Sequence, residues 1–269
     1  MKKVYFMLVA LFVLMTSVPV STAQAASADA SWLITSKVAQ GVIGINYDIP
    51  KDKRIKLMIT KDNSSYTYNL YASGQAEDFP LQQGNGTYKV SVLENTTGNK
   101  YKALYSEVVD VTMSDSNSVY LGSVQNVKWS SSDKAIVKAK QLVQGKTTDE
   151  EKVKAIYNYV VANVQYDYSL ANSVTTDYIP SIDKTLTTKK GICYDYASLF
   201  AAMLRSVDVP AKLVMGNTSY VTQYHAWNEV LLNGKWVTID TTVDAGLAKS
   251  DKKTDLIKAS SKYTAAKYY

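Results

Sequence analysis

Residues 224–242 read YHAWNEVLLNGKWVTIDTT, two strand-like runs joined by Asn233-Gly234. Asn-Gly is the strongest short signal for a two-residue hairpin turn, and such a turn fixes the pairing register of both strands. In that register His225 and Asp240 are diagonal neighbours on one face, within reach of a hydrogen bond between their side chains. A slip of one residue would put them on opposite faces. The spacing therefore predicts a histidine that is oriented by a carboxylate.

The chain has one cysteine, Cys193, and one histidine. Cys193 follows Gly191 at the predicted first turn of a helix, where unpaired backbone N–H groups and the positive helix end favour a thiolate. The same N–H groups could hold a developing oxyanion. Together Cys193, His225 and Asp240 supply the nucleophile, base and orienting carboxylate of an acyl-transfer triad.

Other interpretations of these residues stay open at the level of sequence. A free cysteine is commonly a small buried hydrophobe, and Asp240 could simply cap local backbone at the end of its strand. A zinc site is disfavoured, because one histidine and one cysteine leave too few soft ligands. The run Asp115-Ser116-Asn117 begins like a calcium loop but lacks the glycine at its sixth position. We therefore expect neither a metal nor a cofactor.

The first 25 residues have the pattern of a secretory signal peptide. Lys2-Lys3 precede an apolar run from Val4 to Met15, and Ala23-Gln24-Ala25 forms a cleavage site. The apolar run is shorter than the ~20 residues that cross a bilayer. We expect a protein secreted or held at the cell envelope, with no stable membrane span after signal removal. In that compartment a single cysteine cannot form an internal disulfide.

Composition narrows the classes of partner. Hydrophobic residues make up 46% of the chain and charged residues 20%, as in an ordinary globular protein. Removal of Lys2 and Lys3 would leave 28 basic against 24 acidic residues. This surplus is small and dispersed, so we expect no nucleic-acid partner.

Residues 26–125 have an all-β pattern without a catalytic constellation. Short runs rich in Val, Ile, Tyr and Thr are separated by turn-forming residues, which suggests an immunoglobulin-like β-sandwich that acts as a spacer or binding module. The predicted strands are Val38 to Tyr47, Arg54 to Thr60, Tyr66 to Tyr71, Thr87 to Glu94, Tyr101 to Thr112 and Ser118 to Leu121.

Residues 126–269 have helices followed by strands, which predicts an α+β domain. Thr148 and Glu151 form a capping box at the start of a helix with a buried apolar face. Residues 167–190, rich in Ser, Thr and Asp, are predicted to be a loop. The Lys-rich stretch 249–267 is predicted to be a solvated terminal element.

This region contains five short sequence blocks: Gly191-Ile192-Cys193-Tyr194-Asp195-Tyr196-Ala197, Leu204-Arg205, Val209-Pro210-Ala211, His225-Ala226-Trp227-Asn228-Glu229-Val230 and Trp236-Val237-Thr238-Ile239-Asp240-Thr241-Thr242. Together these blocks resemble the bacterial transglutaminase-like domain, over about residues 148–242.

The resemblance implies a papain-like α+β fold and a thioester intermediate. It gives Cys193 the role of nucleophile, His225 that of general base and acid, and Asp240 that of orienting residue. Trp227 and Trp236 would be packing residues that flank the site. The family usually has glycine where this chain has Asp208, before the Val-Pro-Ala run. Tyr166 is the candidate for the second oxyanion donor.

We therefore expect an exported cysteine-dependent acyl-transfer enzyme that acts on protein or peptide amides. An amine acceptor would give an isopeptide crosslink, whereas water would give deamidation or peptide hydrolysis, and the sequence does not choose among them. The alternative is a non-catalytic cell-envelope binding or scaffold protein that retains the transglutaminase-like fold.

Overall fold

Two antiparallel sheets occupy residues 33–111 in the computed structural model, which describes residues 31–71, 74–248 and 254–269. The predicted signal peptide, residues 1–25, lies outside the described residues. The strands are β1 (Leu33–Ile34), β2 (Val42–Ile45), β3 (Ile55–Lys61), β4 (Ser64–Leu70), β5 (Glu77–Pro80), β6 (Gly86–Asn95) and β7 (Tyr101–Val111). They form a three-stranded sheet of order β1-β2-β5 and a four-stranded sheet of order β4-β3-β6-β7.

Alternating residues of these strands are buried in the hydrophobic core. In β6, Tyr88, Val90 and Val92 are buried and Lys89 is exposed, although Ser91 is buried as well. The antiparallel pairing agrees with the all-β prediction for this region. The immunoglobulin-like arrangement of the strands and the predicted boundary at residue 125 stay predictions.

Several strand assignments in this region differ from the prediction. Strand β1 was not predicted, and the predicted strand Val38 to Tyr47 begins as a 3₁₀ helix at Val38–Gln40, so that only Val42–Ile45 is a strand. The predicted strand Ser118 to Leu121 is wrong, because Ser116–Tyr120 form a 3₁₀ helix. The Asp115 side chain accepts a hydrogen bond from Asn117 N at 2.9 Å and turns the chain there. Strand β5 was not predicted from its acidic, proline-containing sequence, and it is held by its antiparallel pairing with β2.

The second half of the chain is mixed α/β. Its elements are α1 (Lys134–Leu142), α2 (Asp149–Asn163), β8 (Gln165–Tyr166), α3 (Tyr168–Ser173), α4 (Ile182–Thr188), β9 (Lys190–Gly191), α5 (Cys193–Arg205), β10 (Ala211–Thr218), β11 (Val221–Leu232), β12 (Lys235–Ile239), α6 (Thr241–Ala248) and β13 (Tyr263–Tyr268). Strands β10 to β13 form an antiparallel sheet of order β12-β11-β10-β13. Helix α5 packs against β10 and β11, and helices α1, α2 and α4 pack against α5.

Side-chain caps define several of these helices. The capping box of α2 is confirmed, with Glu151 N donating to Thr148 Oγ1 at 3.3 Å and Thr148 N donating to Glu151 Oε2 at 3.1 Å. The predicted loop 167–190 is wrong in that it contains α3 and α4. The side chain of Asp167 caps α3 and that of Ser181 caps α4, so residues that suggested a loop act as N-caps.

The prediction that the Lys-rich stretch 249–267 is a solvated terminal element is wrong for part of that stretch. Its residues from Tyr263 onward form β13, which pairs with β10 and completes one edge of the main sheet. The earlier part of the stretch includes residues that lie outside the described ranges.

Arg205 connects three separate parts of the chain. Its guanidinium is almost fully buried and donates to the main-chain oxygens of Ala211 at 2.9 Å, Gly122 at 2.8 Å and Tyr269 at 2.8 Å. The turn that follows α5 contains Asp208 at a φ of 65°, in the left-handed region. Glycine adopts this conformation without strain, which accounts for the glycine that the resemblance leads one to expect there.

Candidate active site

Helix α5 begins at Cys193, which places the thiol on its first turn. The N–H groups of that turn have no partner within the helix. Asp195 holds the residue before this turn in place, because its Oδ2 accepts a hydrogen bond from Ile192 N at 2.8 Å. Its Oδ1 accepts a hydrogen bond from the Tyr178 hydroxyl at 2.6 Å. Gly191 is required here because a Cβ at this position would collide with Asp195. Cys193 itself is half-buried.

A short parallel ladder holds the chain next to Cys193. Tyr166 of β8 pairs with Gly191 of β9, and Asp167 N donates to Gly191 O at 2.9 Å. The pKa of Tyr166 is raised, first by burial and then by the nearby charge of Cys193. The structure therefore places the Tyr166 phenol near the thiol, and its role as an oxyanion donor stays a prediction.

The β11–β12 hairpin has the predicted register. Asn233 and Gly234 have φ values of 49° and 73°, as a type I′ turn requires, and Leu232 pairs with Lys235. The predicted second strand was extended too far, because β12 ends at Ile239. The chain turns directly into α6 after that residue.

Asp240 lies at the junction of β12 and α6 and uses both carboxylate oxygens. Its Oδ2 is 2.9 Å from His225 Nε2, and its Oδ1 accepts from Val243 N at 3.0 Å. The side chain of His225 is 4% exposed and that of Asp240 is 0% exposed. The sequence left two interpretations of Asp240 open, a partner of His225 and a local cap. The Asp240 side chain makes the contacts of both.

The surroundings of His225 favour its protonated form. Burial alone would lower the pKa of His225, but the hydrogen bond with Asp240 and the interaction with Cys193 outweigh burial and raise the pKa to about 10. Because Nε2 faces Asp240, the other ring nitrogen, Nδ1, is the one left for Cys193. An imidazolium in this position stabilises a thiolate electrostatically.

Aromatic rings enclose the histidine on one side. The Trp227 ring stacks on His225 with ring centroids 6.3 Å apart, and Tyr263 lies 5.0 Å from Trp227. Trp236, which the resemblance suggested as a flanking residue, lies against Tyr120 and under the ammonium group of Lys212.

Sequence reasoning missed Tyr263, whose hydroxyl donates to Asp240 Oδ2 at 3.0 Å. Tyr263, Thr264 and Tyr268 are residue types typical of strands, but Lys262 and Lys267 obscured that signal. Within the described ranges, no three or more His, Cys, Asp or Glu side chains form a group that could hold a metal ion. Among the same residues, no helix combines the length and the apolar character that a bilayer crossing requires.

The second half of the chain is similar to known proteins. Residues 137–241 match the family model described as the transglutaminase-like superfamily. The human kyphoscoliosis peptidase is 33% identical over 116 residues, which are 39% of this chain and 17% of that protein. The mouse protein of the same name is 32% identical over 116 residues, which are again 39% of this chain and 17% of that protein. The match thus spans less than a fifth of the length of these curated relatives.

Solved structures that match part of this chain include a TGase and LapG from Legionella pneumophila. The TGase is 26% identical over 40% of this chain and 30% of its own, with a TM-score of 0.33. LapG, in an EGTA-treated form, is 15% identical over 51% of this chain and 72% of its own, with a TM-score of 0.39.

Proposed function

Because residues 137–241 form a domain of the transglutaminase-like superfamily, we propose that the protein is a cysteine-dependent acyl-transfer enzyme acting on protein or peptide amides. The observation that carries this proposal is the placement of His225 between two partners. Its Nε2 faces Asp240 at 2.9 Å, and Cys193 at the start of α5 is the other group that raises the pKa of its ring. Nucleophilic catalysis by a thiol requires a base next to the thiol and a third group that orients the base.

The reaction proceeds through a thioester on Cys193. The thiolate attacks the amide carbonyl, and a C–S bond forms while the negative charge moves to the carbonyl oxygen. The free N–H groups of the first turn of α5 stabilise that oxygen. The C–N bond then breaks as His225 gives its proton to the leaving amine. In the second half, His225 takes a proton from the acceptor, which attacks the thioester and releases Cys193.

The acceptor decides the product. A primary amine such as a lysine side chain gives an isopeptide bond, and water gives a carboxylate. Hydrolysis is the second candidate outcome because the curated relatives with 33% and 32% identity are named peptidases. Both outcomes use the same thioester, so they share one nucleophile.

One assay separates these products. Wild-type protein and Cys193→Ala are incubated with dimethylcasein, alone and with a fluorescent primary amine. Label on casein reports transamidation, ammonia without label reports deamidation, and new N-termini in mass spectra report hydrolysis. We expect at least one product with wild type and none with Cys193→Ala. Equal turnover by the two proteins contradicts a cysteine nucleophile.

The scaffold alternative predicts an unreactive thiol. In the enzyme, the Cys193–His225 pair should react with iodoacetamide at about pH 6 much faster than a free thiol, and His225→Ala should lose this reactivity. A buried structural thiol would react only on unfolding. Fast alkylation together with no turnover of casein would point to a different acyl donor rather than to a scaffold.

We also propose that the protein is exported and that residues 26–125 form an immunoglobulin-like binding module. The support is the signal-peptide pattern of residues 1–25 and the two antiparallel sheets of residues 33–111. Mass spectrometry of the secreted protein should give an N-terminus at Ala26. An uncleaved chain retained inside the cell contradicts export. Envelope binding by the full chain, lost when only the exposed residues of β7 are changed, tests the binding module.

A further inference from the structure

Tyr263 reaches the triad from the strand that follows it in the chain. Its hydroxyl donates to Asp240 Oδ2 at 3.0 Å, the same oxygen that lies 2.9 Å from His225 Nε2. Its ring packs against Trp227, whose ring stacks on His225. The Asp240 carboxylate thus has donors on both oxygens: His225 and Tyr263 on Oδ2, and Val243 N on Oδ1.

A β-bulge brings Tyr263 to this position. Strand β13 pairs Lys267 with Met215 but Ala265 with Gly216, so Ala266 is an extra residue. Without that residue, Thr264 would lie opposite Thr218, and Tyr263 would point to the other face of the sheet.

With the bulge, Tyr263 pairs with Thr218 and shares a face with His225, which pairs with Gly216. Gly216 permits this arrangement, because a Cβ there would collide with the main-chain oxygen of Thr264.

The phenol can only be the donor in this bond. Burial, followed by the negative charge of Asp240, raises the pKa of Tyr263 far above its usual value, so the hydroxyl keeps its proton. The next carboxylate along α6, Asp244, is buried and paired with Lys258 Nζ at 2.5 Å and with the Tyr157 hydroxyl at 2.8 Å. Asp244 therefore has its own hydrogen-bond donors, and the Tyr263 hydroxyl donates to Asp240.

We propose that Tyr263 is a positioning residue of the triad, which holds Asp240 Oδ2 and limits how strongly this carboxylate retains the His225 proton. A carboxylate with fewer donors binds an imidazolium more tightly. An imidazolium that is bound too tightly is a weaker acid toward a leaving amine. The effect on rate rests on the proposed function, whereas the effect on His225 does not.

The protein has a single histidine, so its imidazole protons are assigned without ambiguity in an NMR spectrum. The test compares wild type with Tyr263→Phe, which keeps the ring and removes the hydroxyl. The matched control is Tyr268→Phe, because Tyr268 lies on the same strand and its ring contacts Lys212. We expect the low-field Nε2–H signal of His225 to move further downfield in Tyr263→Phe and to stay in place in Tyr268→Phe.

Turnover gives the second readout. In Tyr263→Phe we expect kcat to fall about tenfold, the equivalent of one pKa unit in the acid, while KM is unchanged. A His225 signal and a kcat that both equal those of wild type overturn the proposal. A signal that disappears would mean that Tyr263 merely supports packing, and this also overturns it.

Two further observations keep the test decisive. If Tyr263→Phe does not fold, 3-fluorotyrosine at position 263 strengthens the donor, and the His225 signal should then move upfield; an unchanged position contradicts the proposal. If wild type neither turns over casein nor alkylates rapidly at about pH 6, the proposed function is what has failed. The NMR comparison then still decides the role of Tyr263.

Discussion

Asp240 binds His225 through one carboxylate oxygen and caps helix α6 through the other. Oδ2 lies 2.9 Å from His225 Nε2, and Oδ1 accepts from Val243 N at 3.0 Å. Because the same side chain belongs to both contacts, the start of α6 fixes the position of the carboxylate. The orientation of the histidine therefore depends on a helix cap as well as on the hairpin.

The two roles of Asp240 can be separated by substitution. Asp240→Asn keeps an oxygen for the cap but loses the charge, whereas Asp240→Ala loses both. We expect turnover to fall by about 10²- to 10⁴-fold in each variant. The alanine variant should be less stable than the asparagine variant by about 1 kcal/mol, the usual value of a cap. Urea unfolding of both variants measures this difference, and equal stability would contradict the capping role.

Stability should depend on pH through His225. The pKa of His225 is raised to about 10 in the folded chain, because the interactions with Asp240 and Cys193 outweigh burial, against about 6.5 in the unfolded chain. The protonated form is therefore favoured by folding. Its contribution is fully present below about pH 6.5 and is lost as the pH rises toward about 10.

The measurement compares urea unfolding of wild type and His225→Gln across that range of pH. The stability advantage of wild type should shrink by more than about 1 kcal/mol between its two ends, since one pKa unit corresponds to about 1.4 kcal/mol. An advantage that stays constant with pH would show that His225 titrates alike in the folded and unfolded chains.

Two glycines make a matched pair. Gly216→Ala should destabilise the protein by about 1 to 3 kcal/mol, because the new methyl group collides with the main-chain oxygen of Thr264. Gly246 lies within α6, and a Cβ there meets no atom within 4 Å. Gly246→Ala should therefore stabilise the helix by about 1 kcal/mol. Thermal unfolding gives both values, and a neutral Gly216→Ala would argue against the close contact of β10 and β13.

Arg205 should be sensitive even to lysine. Its guanidinium serves three main-chain oxygens in a buried site, and an ammonium group cannot reach all of them. We expect Arg205→Lys to lower the free energy of unfolding by about 2 to 4 kcal/mol, since each buried oxygen without a donor costs about 1 to 3 kcal/mol.

Arg54 provides the control for this substitution. It is exposed and donates to Asn95 and Gly98 at the surface. Arg54→Lys should change stability by no more than about 0.5 kcal/mol. A similar loss of unfolding free energy in the two variants would mean that the buried hydrogen bonds of Arg205 contribute no more to stability than the exposed ones of Arg54.

The sequence was most informative where local chemistry determines geometry. Asn233-Gly234 set the hairpin register, and Thr148 with Glu151 set the start of α2, because turns and caps depend on a few adjacent residues. The start of α5 at Cys193 follows for the same reason. The pairing of His225 with Asp240 then follows from the register, although a catalytic role for it stays a prediction.

The missed features depend on contacts between distant parts of the chain. Strand β5 is held by pairing with β2, and Tyr263 meets Asp240 only because a bulge in β13 lies opposite Gly216. The 3₁₀ helix at Ser116–Tyr120 was a different error, since the apolar pattern there outweighed the turn set by Asp115. No window of neighbouring residues contains the information for the first two.

The position of Tyr263 in the chain has a consequence for the order of events during synthesis. The ribosome completes Cys193, His225 and Asp240 before it reaches β13, so the nascent chain contains all three residues while Asp240 still lacks its phenol donor. The full set of contacts around the carboxylate forms only after the last strand has joined the sheet. A chain interrupted between Asp240 and Tyr263 would carry the reactive residues without their final alignment.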